Sequence, residues 1–374
     1  MVGDFVEKYK DMKIKKKANI KLIRNLVFFL LLIIFTFWFI FKDQDLNELL
    51  KALKQSNIIY IIISAFLMFL VYFMESINVR SILISLGEKK FSVLKALKYT
   101  SIGAFFSAIT PAATGGQPVE IYYMSKDGIK SYNGTMAMLI QLCGFQISTL
   151  SFSIICAILN PNLLKDGIIW FYLLGLTING FALIMMLLGI FSSKVTNRIL
   201  NFVLKIIKIS KIKNYDLIKK KIEEGLMEYS KSSAYIKENK SEFIKAIIRV
   251  FIQIFIYHSI PYFIYKSFGL NELSFFNFFT MQAVLYTTVS GIPLPGAIGV
   301  SEMLFLKLYG AAFGSVLLSG AMLLYRFVSF YLYVIIFLFV VIINGIKSKN
   351  IESDIDKNIK EIDEIRSSSK LSYS

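Results

Sequence analysis

Six stretches of this sequence each continue for about 20 residues or more with few charges. Crossing about 30 Å of hydrocarbon takes roughly 20 apolar residues in a helix that rises about 1.5 Å per residue, whereas soluble core helices show shorter runs. Hydrophobic residues make up 56% of the chain, which agrees with these runs. We therefore predict an all-α, polytopic helical membrane protein with about six spanning helices, at residues 22–41, 58–83, 134–159, 168–191, 243–268 and 315–344.

The lysines are concentrated beside the apolar runs, and residues 1–21 hold seven lysines against three acids. Because loops on the cytoplasmic side carry the excess of Lys and Arg, we expect both chain termini to be cytoplasmic. The predicted order is a basic N-terminus at 1–21, a transmembrane domain at 22–346 and a polar tail at 347–374, in a cytoplasmic membrane of bacterial type. The net charge of +17 then reflects topology and contact with anionic lipid, so nucleic acid is not an expected partner.

One long polar insert, residues 192–242, interrupts the transmembrane domain with twelve basic and six acidic residues. Its charge predicts a cytoplasmic position. Five apolar residues fall at helical spacing in its first half: Val195, Ile199, Phe202, Ile206 and Ile207. They predict a basic amphipathic helix that lies on the inner leaflet, and a solvated helical hairpin is the alternative.

The composition argues against several kinds of chemistry. Cys143 and Cys156 lie thirteen positions apart on one predicted helix and cannot pair with each other. His258 is the single histidine, so a histidine metal site or a Ser-His-Asp triad is not expected. A packed structural histidine is the simpler interpretation, and a proton relay the alternative. We expect no cofactor, and the sequence contains no Walker-type phosphate loop.

Two Pro-Gly breaks interrupt apolar sequence, and both follow one pattern. The first runs PAATGGQPVE from Pro111 to Glu120, and the second runs PLPGAIGVSE from Pro293 to Glu302. Each places a glutamate nine residues after the first proline. The charge pattern predicts that the first enters from the cytoplasm and the second from outside, as re-entrant broken-helix hairpins of an inverted repeat. A chance match, or ordinary helix kinks, are the alternatives. The helix after the second break is predicted to end at Gly310.

Such breaks have a physical use, because non-helical backbone at membrane depth must be buried in protein or line a wet cavity. A helix that starts near Val300 would direct its positive end at that cavity. Glu302 could cap this helix or accept a proton or cation, and Arg326 must pair with Glu302, Glu120 or a lipid phosphate. The predicted headgroup cavity comprises Gly115, Gly116, Gln117, Glu120, Gln282, Pro293, Pro295, Gly296, Gly299, Glu302, Tyr325 and Arg326.

These motifs, TPAATGGQPVE and PLPGAIGVSEMLFLKLYG followed by LLYRFVSFYL, resemble the lysylphosphatidylglycerol synthase transmembrane family, the flippase-like membrane part of the multiple peptide resistance factor proteins. The resemblance covers about residues 20–346. Many members carry an Arg and an Asp in the third span, where this chain has MAMLIQLCGFQIS. In full-length members a separate C-terminal domain makes the aminoacylated lipid. About 28 residues follow the last predicted span here, so the resemblance implies the membrane half.

The resemblance implies a lipid translocase for an anionic or aminoacylated phospholipid headgroup. The alternatives are a phosphatidylglycerol lysyltransferase, which uses lysyl-tRNA and gives resistance to cationic peptides, and a membrane partner of a separate synthase. The transferase would need nucleic acid, whereas the translocase would need only anionic phospholipid and the membrane. A separate soluble aminoacyl-lipid synthase and a second copy of the chain remain open as partners.

Overall fold

The computed structural model describes residues 56–110, 113–165, 167–192, 215–290 and 299–344, together with 31, 54, 196, 198, 201, 204, 205 and 297. Within these residues the chain is helical: α1 (Ile58–Ser85), α2 (Val93–Ala108), α3 (Gly116–Lys126), α4 (Ser131–Leu159), a 3₁₀ turn (Pro161–Leu164), α5 (Ile168–Phe191), α6 (Tyr215–Glu238), α7 (Lys240–Ser267), α8 (Phe275–Ser290) and α9 (Val300–Arg326). A π-helical turn (Phe327–Tyr331) follows α9, and helix continues to residue 344.

Five helical segments of the described residues are long and apolar enough to cross a membrane: α1, α4, α5, α7 and the stretch Val300–Asn344. Large apolar side chains on them face outward, and Trp170 is 73% exposed, Ile158 72% and Phe181 65%. Lipid is the solvent that such a surface requires. The prediction of a polytopic helical membrane protein is confirmed. The predicted span 22–41, the N-terminus 1–21 and the tail 347–374 lie outside the described residues, apart from Leu31.

Helices α1 and α7 form the antiparallel centre of the bundle. The backbone N–H of Asn57, just before α1, donates to the carbonyl of Ser267 at the end of α7 (2.6 Å). At the other end, Arg249 near the start of α7 donates to Asn78 near the end of α1 (3.4 Å). Because α2 follows the end of α1 and α8 follows the end of α7, these two helices begin at opposite ends of the bundle. We call these ends the α2 end and the α8 end.

Helices α2 and α3 form the first hairpin, which returns to the end where it began. Near its mouth, the Tyr99 hydroxyl of α2 donates to Asp127, just after α3 (2.6 Å). Deeper in the bundle, a Cβ atom on Gly103 would lie only 2.6 Å from Glu120 Oε2. Glycine therefore lets the two arms approach closely.

The second hairpin consists of α8 and the first arm of α9, residues 300–313. Phe278 near the start of α8 packs against Tyr309 and Phe313, with ring centroids 5.7 and 5.9 Å apart. The arm therefore runs back to the α8 end. Gly314 adopts φ 66° and ψ 170°, outside the helical region, and reverses the chain there. The predicted end at Gly310 is wrong, because Gly310 lies within the helix and the reversal comes four residues later.

The ion pair of Glu302 with Arg326 confirms this reversal. In a straight helix these residues, 24 positions apart, would lie about 36 Å from each other. Instead Arg326 Nε lies 2.6 Å from Glu302 Oε1. Residues 315–344 then form the last span, as the sequence predicts.

Helix α6, the second half of the polar insert, docks on the α2 end of the bundle. Its Tyr229 hydroxyl donates to the carbonyl of Gly189 (2.9 Å), and Ser232 donates to Asn133 of α4 (2.8 Å). Ile236 is 1% exposed, in a cluster shared with α1, α4 and α5. This half of the insert is therefore packed against protein. The five apolar residues of the predicted membrane-resting helix lie outside the described residues.

Candidate functional site

A cavity of about 420 Å³ lies in the middle of the bundle, between the tips of the two hairpins. From the first hairpin it is lined by Ser107, Ala113, Gly116, Gln117 and Glu120, and from the second by Tyr286, Ser290, Ala297 and Ser301, among others. The middle turns of α1 and α7 supply Glu75 and Gln253, and the last span supplies Tyr325 and Arg326. The structure thus brings described residues on both sides of each Pro-Gly break to one space in the middle of the bundle.

The first break is closed by a threonine and by close glycine packing. Thr110 Oγ1 donates to the carbonyl of Phe106 (2.6 Å) and accepts from the N–H of Gly115 (2.9 Å). A Cβ atom on Gly116 would lie 1.9 Å from Ser107 Oγ and 2.7 Å from the carbonyl oxygen of Gly103. Gly115 therefore shapes the turn, while Gly116 and Gln117 reach the cavity.

Glu120 is the buried carboxylate of the first hairpin. The residue is 4% exposed and lines the cavity. Its Oε1 atom has no hydrogen-bond partner among the described residues. A buried oxygen without a partner is expensive, so its position at the cavity indicates a site that binds something.

Both carboxylate oxygens of Glu302, the matching glutamate of the second hairpin, have partners within the protein. Its Oε2 accepts from the N–H of Gly299 (2.6 Å) and from the hydroxyl of Ser301 (2.9 Å), and its Oε1 faces Arg326. Glu302 thus caps the helix start and also pairs with the arginine. It is 2% exposed and lies behind the cavity wall. Pro293, Pro295 and Gly296 lie outside the described residues.

Arg326 is held on both sides. Its guanidinium carbon lies 4.5 Å from the centre of the Phe330 ring and 5.5 Å from that of Tyr331, which adds cation–π contact to the ion pair. The residue is 8% exposed and lines the cavity. Its charge is therefore already balanced by Glu302 before any ligand arrives.

Gln282 does not reach the cavity, although the sequence places it near a break. Its Nε2 donates to the Tyr325 hydroxyl (2.6 Å), and its Oε1 accepts from the Tyr309 hydroxyl (3.0 Å). Tyr325 also exchanges a hydrogen bond with Tyr257 (3.1 Å) and lines the cavity. Gln282 thus orients a tyrosine of the wall.

Glu75 is a cavity residue that sequence reasoning missed. It accepts from Gln253 Nε2 (3.2 Å), Gln253 accepts from Gln141 (3.1 Å), and Gln141 accepts from Asn78 (2.5 Å). Arg249 donates to Asn78, so every donor in this amide chain points towards Glu75. A carboxylate in the middle of an apolar run was the signal that could have found it.

His258 packs among aromatic rings. It is 0% exposed, with Phe152, Phe279 and Tyr286 at centroid distances of 5.8, 5.3 and 6.1 Å. Cys143 and Cys156 are buried free thiols. Among the residues that the structure describes, no group of three His, Cys, Asp or Glu side chains could hold a metal ion.

A family model described as the lysylphosphatidylglycerol synthase TM region matches residues 25–336. The chain belongs to this family. The match includes both hairpins and the polar insert. It also includes the residues that line the cavity, apart from Phe337. Comparisons with curated proteins and with solved structures give no match. In this member of the lysylphosphatidylglycerol synthase TM family, the third predicted span is α4, and it turns Gln141 and Gln146 to the cavity.

Proposed function

We propose that the chain is a lipid translocase of flippase type, acting on an anionic or aminoacylated phospholipid headgroup in the cytoplasmic membrane. The observation that carries the proposal is the cavity halfway through the bundle, which combines an apolar lining with buried polar side chains such as Glu75, Gln117 and Glu120, and to which helices from opposite ends contribute. A headgroup that crosses the membrane needs polar partners at that depth, while its acyl chains stay in hydrocarbon. The volume of about 420 Å³ lies within the range of small-molecule sites.

The proposed orientation places the α2 end, with its lysines and the docked insert, at the cytoplasm. Basic residues at that end attract anionic lipid. A separate soluble synthase would supply an aminoacylated lipid from the same side, and its association with the chain is part of the proposal.

The test is transfer of a fluorescent phosphatidylglycerol probe between the leaflets of vesicles that contain the purified chain. Ala104 lines the cavity, so Ala104→Phe should fill it and slow transfer at least tenfold. Ala311 is exposed on the outer face of α9, so Ala311→Phe adds the same bulk where lipid can yield, and should leave the rate unchanged.

Equal rates in both variants and in vesicles without protein would overturn the translocase. Formation of lysylated lipid when the chain is incubated with lysyl-tRNA and phosphatidylglycerol would instead support the transferase. Arg326 and Glu302 are poor probes of transport, because their buried pair also holds the fold.

A further inference from the structure

The cavity contains two carboxylates with different surroundings. Glu75 receives a hydrogen bond from Gln253, at the end of a chain of donors that begins at Arg249. Glu120 has an Oε1 without a partner among the described residues, although the side chain is 96% buried. The hydrogen bond from Gln253 therefore favours the ionised form of Glu75 relative to that of Glu120, which is left in need of a donor.

Arg326, the cationic residue of the cavity lining, is paired with a carboxylate other than Glu75 and Glu120. Arg326 pairs with Glu302, which lies behind the wall, and stacks on Phe330. The lining residues that titrate or carry charge come from several helices: Glu75 and Tyr72 of α1, Glu120 of α3, Tyr257 of α7, Tyr286 of α8, and Tyr325 and Arg326 of α9. Helix α2 faces Glu120 with Gly103 and places Ser107 in the cavity lining, and α4 faces the cavity with Gln141 and Gln146.

We propose that Glu120, opposed by the charge of Glu75, is a proton-binding site that couples lipid transfer to the proton gradient. Two carboxylates that line one cavity, one of them on a 4%-exposed residue, disfavour simultaneous ionisation, so a proton binds readily there. The bond forms between Glu120 Oε1 and a proton from water at one end of the bundle, and it breaks when the proton leaves to water at the other end. The coupling rests on the proposed translocase function, whereas proton binding does not.

The geometry also supplies a reason for coupling. The carboxyl group of Glu120 lies against Gly103, beside the first break, where the backbone of the hairpin has its interruption. A protonated Glu120 can donate a hydrogen bond, while an ionised one can only accept. Proton binding to Glu120 therefore changes which groups the tip of the first hairpin can bind. A headgroup phosphate can accept a hydrogen bond from the protonated carboxyl group.

Infrared difference spectroscopy of the full chain in phosphatidylglycerol vesicles tests proton binding directly. Lowering the pH from about 8 to about 5 should produce a protonated-carboxyl band that Glu120→Gln removes. Glu75→Gln should shift the onset of this band to lower pH, because the repulsion that favours the proton is gone. Glu272→Gln is the matched control at an exposed position, and should leave the band intact. A spectrum of Glu120→Gln identical to that of the native chain would overturn the site.

Transfer of the fluorescent phosphatidylglycerol probe tests the coupling, with choline in place of sodium throughout. An imposed pH gradient should accelerate transfer several-fold in the native chain. Transfer by Glu120→Gln should have the same rate with and without the gradient. A titrating band with transfer insensitive to the gradient would overturn the coupling. If the native chain moves no probe, the translocase proposal fails, and the infrared result alone decides the proton site.

Discussion

The two hairpins differ in what their motif glutamates do. Glu120 of the first hairpin lines the cavity, and its Oε1 has no hydrogen-bond partner among the described residues. Glu302 of the second hairpin caps a helix and pairs with Arg326. The two residues hold the same place after their prolines. Their long-range surroundings differ. Gly103 of α2 faces Glu120, whereas the last span brings Arg326 to Glu302. The comparison teaches that a shared break motif specifies a backbone interruption and leaves the role of its carboxylate to packing.

Each break nonetheless contains an alanine in a left-handed backbone conformation. Ala113 has φ 54° and Ala297 has φ 48°, the only non-glycine residues with positive φ among those the structure describes. Both line the cavity. A left-handed conformation costs an alanine about 1–2 kcal/mol. Ala113 lies two residues after Pro111 and Ala297 lies four residues after Pro293, so the strain recurs in both breaks at different places. Backbone strain of this kind is typical of segments held in place for a ligand.

The largest expected effect is on the second hairpin. Arg326→Ala leaves the carboxylate of Glu302 buried without its cation, and should lower the free energy of unfolding by about 3–5 kcal/mol. Unfolding in mixed detergent, followed by circular dichroism, measures it. Because removing both charges avoids the unpaired ion, the double variant Arg326→Gln with Glu302→Gln should recover most of the loss. A single variant as stable as the native chain would show that the pair has no structural role.

A smaller effect is expected in the first hairpin, where packing replaces the ion pair. The Cβ atom of Gly116→Ala would meet the Gly103 carbonyl oxygen at 2.7 Å, so α2 and α3 must separate, at a cost of about 1–3 kcal/mol. Gly180 of α5 is the matched control, because a Cβ atom there meets nothing within 4 Å. Gly180→Ala should stabilise the helix by up to about 1 kcal/mol. Equal unfolding midpoints for the two variants would contradict close packing of the arms.

The smallest effect concerns the mouth of the first hairpin, outside the lipid. Burial raises the pKa of Asp127, but hydrogen bonds from Lys98 and Tyr99 outweigh it, and the net pKa lies below the ordinary value. Its stabilisation is complete above the ordinary value of about 3.9 and is lost as the pH falls through the lower folded value.

Because solvent screens this partly exposed group, Asp127→Asn should cost less than about 1 kcal/mol at neutral pH. The difference in thermal midpoint from the native chain should shrink as the pH falls below about 4. A difference that grows on acidification would mean that Asp127 is not stabilised as an anion.

The spanning helices were predictable because their lengths depend on local composition. The predicted span 168–191 coincides with α5, and 58–83 ends two residues before α1 does. The breaks were also predictable, since proline and glycine act on their own backbone.

The partners of the polar side chains were not predictable. The choice of Glu302 by Arg326, and the chain of amides that ends at Glu75, depend on which helix faces join across the bundle. The docking of α6 depends in the same way on Asn133, which accepts from Ser232 about a hundred residues later. Such pairings are properties of tertiary packing, and no local spacing carries them.

The π-helical turn at Phe327–Tyr331 puts one more residue into its turn than an α-helix would. Deleting one residue there would let the helix close to regular α geometry, and the segment that carries Arg326 would keep almost the same angular phase relative to residues 332–344. The span would still be long enough to cross the bilayer. The same deletion within the regular α-helical turns between Gly314 and Arg326 would instead rotate the guanidinium by about 100° away from its carboxylate, so the π turn is the place where the last helix can lose a residue without losing its ion pair.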